Sequence, residues 1–328
     1  MRIPRHVFAL VLFLGSCAHE PAPGGDGLDA GLPPVGRDPG YAALRPEPYA
    51  DLRQHTQYAA GAAEDPELAP DGGTLFFAST HDTPDYNLYS KELDSPLVVR
   101  WTAGPANERQ PRVSPDGKWL AFISDEPGFW DLYLVSLENP QAEPRRLDVR
   151  PGDKFGPSWD PSGKSIVYSA LSPRTGTYQL WRVDVSTGQA TAYDPRLPGL
   201  FPRVSPDGTW IAFNKFKERG PRYSSIWLLR ADGTEPTEIV SQEGWGAITP
   251  VWSPDGSRLA YASVGKSVEW RGAGYRADDI WVVGSGGGPL TQLTTHPASE
   301  WSPVWSKGRI YFVSDRSGTP NVWSLPEP

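Results

Sequence analysis

Cysteine occurs once in this chain, at position 17, which excludes an intramolecular disulfide and any metal site built from cysteine alone. Histidine is nearly as scarce. The five are His6, His19, His55, His81 and His296, and no two stand at a metal-ligand spacing such as His-x-x-x-His. The apolar stretch Val7–Leu14 is too short to span a bilayer. Positive charge is outweighed: 31 Lys and Arg against 39 Asp and Glu give a formal net charge of −8, which argues against nucleic acid and anionic lipid surfaces as partners. No Gly-x-Ser-x-Gly elbow appears. Gly163-Lys-Ser165 and Gly265-Lys-Ser267 lack the upstream glycine of a phosphate loop and open no helical pattern. Asp278-Asp279 is an isolated pair beside a strand start, which suits a loop better than a calcium site. These absences predict no metal and no cofactor, and they name no catalytic residue. Paired carboxylates gathered from separate parts of the chain remain open, since spacing in sequence does not exclude them.

What the chain does have is turns and tryptophan: 36 prolines, 34 glycines and 14 tryptophans. They are organised by the stretch Pro111-Arg-Val-Ser-Pro-Asp-Gly-Lys-Trp-Leu-Ala-Phe122, which has counterparts beginning at Pro66, Pro157, Pro202, Pro250 and Pro303. Two residues past each proline stands an apolar or aromatic residue: Leu68, Val113, Trp159, Val204, Trp252, Trp305. A tight turn follows, Pro-Asp-Gly in four copies, Pro-Ser-Gly at 161–163 and Ser-Lys-Gly at 306–308. Next comes an apolar strand whose aromatic column is Phe77, Phe122, Tyr168, Phe213, Tyr261, Phe312, at spacings of 45 to 51 residues. Repeats of that period signal a propeller or another array.

The turn chemistry explains the hairpin. Proline presets φ at the first corner, Asp or Ser bonds nearby backbone, and glycine takes the left-handed position. The strand after the turn is apolar at successive positions, as in Leu120-Ala-Phe122, which predicts a strand covered on both faces. A third signature recurs further on: Asn87-Leu-Tyr89, Asp131-Leu-Tyr133, Gln179-Leu-Trp181, Ser225-Ile-Trp227, Asp279-Ile-Trp281, Asn321-Val-Trp323. In five copies a weaker strand such as Leu290–Thr295 follows it. Four short antiparallel strands repeated six times predict an all-β, six-bladed β-propeller.

The Ser-Pro-Asp-Gly turns, together with Ser314-Asp-Arg-Ser-Gly-Thr-Pro-Asn-Val-Trp323, resemble the WD-repeat-like blades of TolB-type periplasmic propellers. The resemblance covers residues 48–328. It implies the fold, while the motif itself is structural and implies no catalysis. TolB carries an α/β domain ahead of its propeller for which this sequence has no room, so the resemblance implies a stand-alone propeller and leaves a role in the Tol–Pal system in doubt.

Arg2 and Arg5, the apolar stretch and Leu14-Gly-Ser-Cys17 read as a lipoprotein signal peptide over residues 1–17, with Cys17 as the lipidated residue of a bacterial lipobox. The alternative is an ordinary secretory signal with an incidental cysteine. Ala18 in place of aspartate after the cysteine implies the outer membrane of a Gram-negative cell, with the protein facing the periplasm or else the cell surface. Residues 18–47 are rich in Gly, Pro and Ala and read as a flexible tether. The last repeat ends after its third strand, and Leu52-Arg-Gln-His-Thr56 echoes the fourth-strand pattern. A strand within about 49–58 is therefore expected to complete the last blade and close the ring.

The Pro-Asp-Gly turns fall on one face of such a ring. The opposite face collects the inter-blade connections and the long loops 214–224 and 264–278, and loops on a rigid scaffold are where binding groups gather. Its candidate partner-binding residues are Glu108, Arg109, Asp153, Lys154, Trp245, Trp270, Arg271, Glu300 and Trp301. For each of them packing between blades is the competing role. Taken together, these readings predict a monomeric, non-enzymatic envelope lipoprotein whose propeller is a scaffold for a protein or glycan, touching the membrane only through its lipid. Two alternatives stay open. One is a propeller enzyme, a glycan lyase, hydrolase or lactonase, acting at the channel mouth. The other is an orphan relative of the gating propeller of prolyl-oligopeptidase-type enzymes.

Overall fold

A computed structural model describes residues 51–139, 142–148, 150–216, 224–266 and 275–328, with no account of the side chains of residue 266 and residues 275–278. The leader, the tether, Cys17, Trp270 and Arg271 lie outside the described residues.

The described chain forms six four-stranded antiparallel sheets, and in five of them the strands lie in chain order from inner to outer. These are the blades of a six-bladed propeller. The inner strands are Ala63–Leu68, Glu108–Val113, Lys154–Trp159, Leu200–Val204, Trp245–Trp252 and Glu300–Ser306. The second strands carry the apolar columns. Leu75, Leu120, Ile166, Ile211, Leu259 and Ile310 are fully buried, and every member of the aromatic column is at most 1 % exposed, as a strand covered on both faces requires. Each such aromatic contributes about 1.5–3 kcal/mol from burial. Outer strands are short, as in Val99–Arg100 and Arg145–Arg146.

The turns are built as the sequence predicts. Gly117 sits at φ 73°, Asp116 Oδ1 accepts from the amide of Lys118 at 3.1 Å, and Ser114 Oγ accepts from the amide of Trp119 at 2.9 Å. In the variant copy Asp160 occupies the serine position and also pairs with Arg182 at 2.9 Å. Tryptophans pin one blade to the blade before it: Trp159 Nε1 donates to Arg112 O and Trp252 Nε1 to Arg203 O, both at 2.9 Å.

The ring closes through the N-terminal segment. Arg53–Gln54 pairs with Asn321–Pro326 in the sixth blade, and the contact continues beyond the paired residues. His55 N donates to Val322 O at 2.8 Å, Thr56 Oγ1 to Asn321 Oδ1 at 2.9 Å, and Arg309 Nη1 to Asp51 Oδ2 at 2.7 Å. The regular strand is only two residues long, because side-chain bonds rather than ladder bonds hold residues 56–58.

Candidate functional site: the inner strands and the channel

Every inner strand is broken at its proline. The residue before it has a left-handed backbone in all six blades: Asp65 at φ 51°, Gln110 at 54°, Gly156 at 62°, Phe201 at 51°, Thr249 at 50° and Ser302 at 50°. Residues ahead of proline ordinarily stay extended, so this conformation is held by the surrounding fold. Proline has no N–H for the ladder, and the register with the second strand shifts at this point in each blade.

Side chains then link the bulges around the ring. Asp65 Oδ2 accepts from the amide of Gln110 at 3.2 Å, and Gln110 Oε1 accepts from the amide of Gly156 at 2.7 Å. The relay ends at Gly156, where a Cβ would come within 2.6 Å of Phe201 Cα, so the next blade's packing requires glycine there.

The residue after each proline forms a second column: Glu67, Arg112, Ser158, Arg203, Val251, Val304. Its charged members come together in the middle of the ring, whereas Val304 packs in the core with Ala63 and Leu68 of the first blade and Val251 packs against the core that holds Trp301 and Ile310 of the sixth. Glu67 belongs to the first blade and Arg203 to the fourth, on opposite sides of the ring, yet each shifts the other's proton affinity, which they can do only across the channel. Arg112 Nη1 lies 3.5 Å from Glu67 Oε2. Burial pushes the Glu67 carboxyl up against the opposing pull of Arg112 and Arg203. Burial, with Arg112 close by, brings the Arg203 guanidinium down to about 9. Three blades thus bring charged groups together, while Ser158 Oγ accepts from the amide of Val204 in the next blade at 3.0 Å.

Of the residues singled out from sequence, those described lie at or beside the starts of inner strands, the end away from the Pro-Asp-Gly turns, and most are engaged with their neighbours. Arg109 is buried, pairs with Asp65 at 2.8 Å and with Glu64, and lies over the Tyr86 ring at 4.3 Å. Lys154 is 1 % exposed and pairs with Asp131 at 2.7 Å. Asp153 Oδ1 accepts from the amide of Trp130 at 2.9 Å, and burial raises its carboxyl. Glu300 is fully buried against Arg316, and Trp301 packs in the core with Ile248 and Val264. Trp245 is half-buried and stacks on Trp281 at 5.2 Å. Glu108 differs: it is buried with no ion pair among the described residues, and burial pushes its carboxyl up to about 7. These groups do not converge on a single point.

Among the described residues no three His, Cys, Asp or Glu side chains group to hold a metal ion. The sequence reading passed over Glu67, Arg112 and Arg203. Their signal was the column immediately after the repeated proline, one residue before the apolar column that defines the repeat.

This is a β-propeller whose inner strands carry its polar chemistry. Residues 191–327 match the TolB beta propeller domain family. The chain is 28 % identical over 197 residues to the Tol-Pal system protein TolB of Francisella tularensis, covering 59 % of this chain and 45 % of that protein. It is 30 % identical over 209 residues to the uncharacterized peptidase YuxL of Bacillus subtilis, covering 61 % of this chain and 29 % of that one. The solved structure of putative TolB from Agrobacterium tumefaciens superposes with a TM-score of 0.59 at 22 % identity, covering 82 % of this chain and 91 % of that chain. Over residues 191–327 the chain is thus similar to the TolB-type β-propellers, and the solved structure shares its fold. The aligned stretch spans less than half the length of either curated relative.

Proposed function

We propose that this protein is a non-enzymatic envelope lipoprotein, anchored in the outer membrane through Cys17, whose propeller binds an envelope protein or polymer at the channel and its rim. The observation that carries this reading is the chemical grading of the channel. A ring that served only to pack would be expected to repeat one residue type at the position after each proline. Here the fifth and sixth blades put Val251 and Val304 at that position and pack them into the core, whereas Glu67, Arg112 and Arg203 bring charge to the middle of the ring. Buried charge is costly, and retaining it where the blades meet suits recognition of a polar ligand. The half-buried Trp245–Trp281 stack adds the flat aromatic area that binding surfaces favour.

Cross-linking in the native cell tests the reading. The protein, tagged after Pro328 through a flexible linker, is cross-linked, purified from the envelope fraction, and its co-purifying proteins and glycans identified. One dominant partner, lost when Trp270 and Arg271 are changed together, is the expected outcome. Recovery of folded protein with no specific partner overturns it. Cys17→Ser is expected to move the protein from the membrane to the soluble fraction, and retention in the membrane would refute the anchor.

A further inference from the structure

Three arginines and three carboxylates meet along the inner strands of the first, second and fourth blades. Their charges balance in sum but not in pairing. Glu64 and Asp65 are both held by Arg109. Arg112 and Arg203 are left to share Glu67, which lies 3.5 Å from Arg112. Arg203 has no carboxylate partner among the described residues, and its Nη1 donates only to the backbone carbonyls of Pro157 and Pro202, at 3.3 and 3.1 Å. The Nε of Arg112 is buried and makes no hydrogen bond. A guanidinium offers five N–H donors in a planar fork that fits a carboxylate, and two carbonyls on one nitrogen leave most of that fork unused. Arg203 also keeps partial exposure.

We propose that Arg203, with Arg112 beside it, is a binding site for a single carboxylate entering the channel, either a small free acid or the C-terminal carboxylate of a peptide. The proposal rests on the reading of the propeller as a binding scaffold and names the group that its ligand presents. A carboxylate at Arg203 gains charge-assisted hydrogen bonds in a site already shielded from water.

The test is calorimetric titration of the purified propeller at fixed ionic strength with acetate, with tri-alanine as the free acid, and with tri-alanine amide. Both acids are expected to bind and the amide not to bind. Binding of acetate and peptide acid alike assigns the site to the carboxylate itself, whereas binding of the peptide acid alone assigns it to a chain end. Arg203→Gln is expected to weaken binding by at least about tenfold. Glu67→Gln removes the competing carboxylate and is expected to tighten binding about threefold, an effect that a purely structural role for Arg203 would not give. Equal binding by wild type and Arg203→Gln, no binding of either acid, or no gain in Glu67→Gln overturns the proposal. A partner captured in cells that survives Arg203→Gln would sink this site and leave the scaffold reading standing. Carboxylate binding with no captured partner would do the reverse.

Discussion

The second and sixth blades begin their inner strands with the same residue, Glu108 in one and Glu300 in the other, and treat it in opposite ways. Both carboxylates are buried and both lie 3.4 Å from a serine hydroxyl, Ser124 or Ser314. Two residues past that serine the blades diverge. The sixth blade has Arg316, which pairs with Glu300 and also donates to Ser314 Oγ at 3.1 Å. The second blade has Glu126, whose carboxylate turns away to accept from Tyr133 OH at 2.8 Å. Among the described residues Glu108 has no cation beside it, and burial raises its carboxyl to about 7. The repeat therefore fixes where a carboxylate sits. Whether it is a neutralised structural ion or a group that titrates near neutrality depends on one further residue.

Removing the cation from the sixth blade should have the largest effect. Arg316→Ala takes away the counter-ion of a fully buried carboxylate and is expected to cost about 3 kcal/mol, read by urea denaturation at pH 7.5. A loss below about 1 kcal/mol would mean that the two blades do not differ in this respect. The second blade should respond in the opposite sense. Because the folded state holds the Glu108 proton more tightly than the unfolded chain does, the stability contribution of this group falls as pH rises from about 4.5 to about 7 and is level above that. Glu108→Gln is expected to stabilise the protein by about 1–2 kcal/mol at pH 8, to change little at pH 4.5, and to flatten thermal midpoints across that window. An unchanged pH profile would show that Glu108 ionises normally in the fold. The smallest effect belongs to Glu126→Arg, which gives the second blade the residue of the sixth. Its gain at pH 8 should be about 1 kcal/mol or less, because the bond to Tyr133 is lost in the exchange. The Glu108 carboxyl should move below 6 in an NMR titration of the variant.

The same contrast explains which features were legible in the sequence. The aromatic column from Phe77 to Phe312, the Asp116-Gly117 type of turn and the missing fourth strand after Leu325 depend on local propensity and on a fixed period. Each was readable from spacing, including the return of residues 53–54 to the last blade. Which of the candidate rim residues would be engaged by neighbours could not be told from sequence. Lys154 is held by Asp131, over twenty residues earlier, and Arg109 by Glu64 and Asp65 of the preceding blade. The left-handed residues before the prolines were not legible at all. Local preference runs against that conformation, and only the packing of adjacent blades imposes it.

By itself the sequence determined the number of blades, the strands within each blade, the turn that joins the first two and the segment that closes the ring. A tight turn and a doubly covered strand are specified within about a dozen residues, and six copies of one pattern can bury their faces only against each other. The tertiary structure alone decided which charges meet. Glu67 and Arg203 are 136 positions apart and approach only because a six-membered ring sets its first and fourth blades across one axis. Coulomb energy depends on distance in space and on the local dielectric, and neither is written in a repeat.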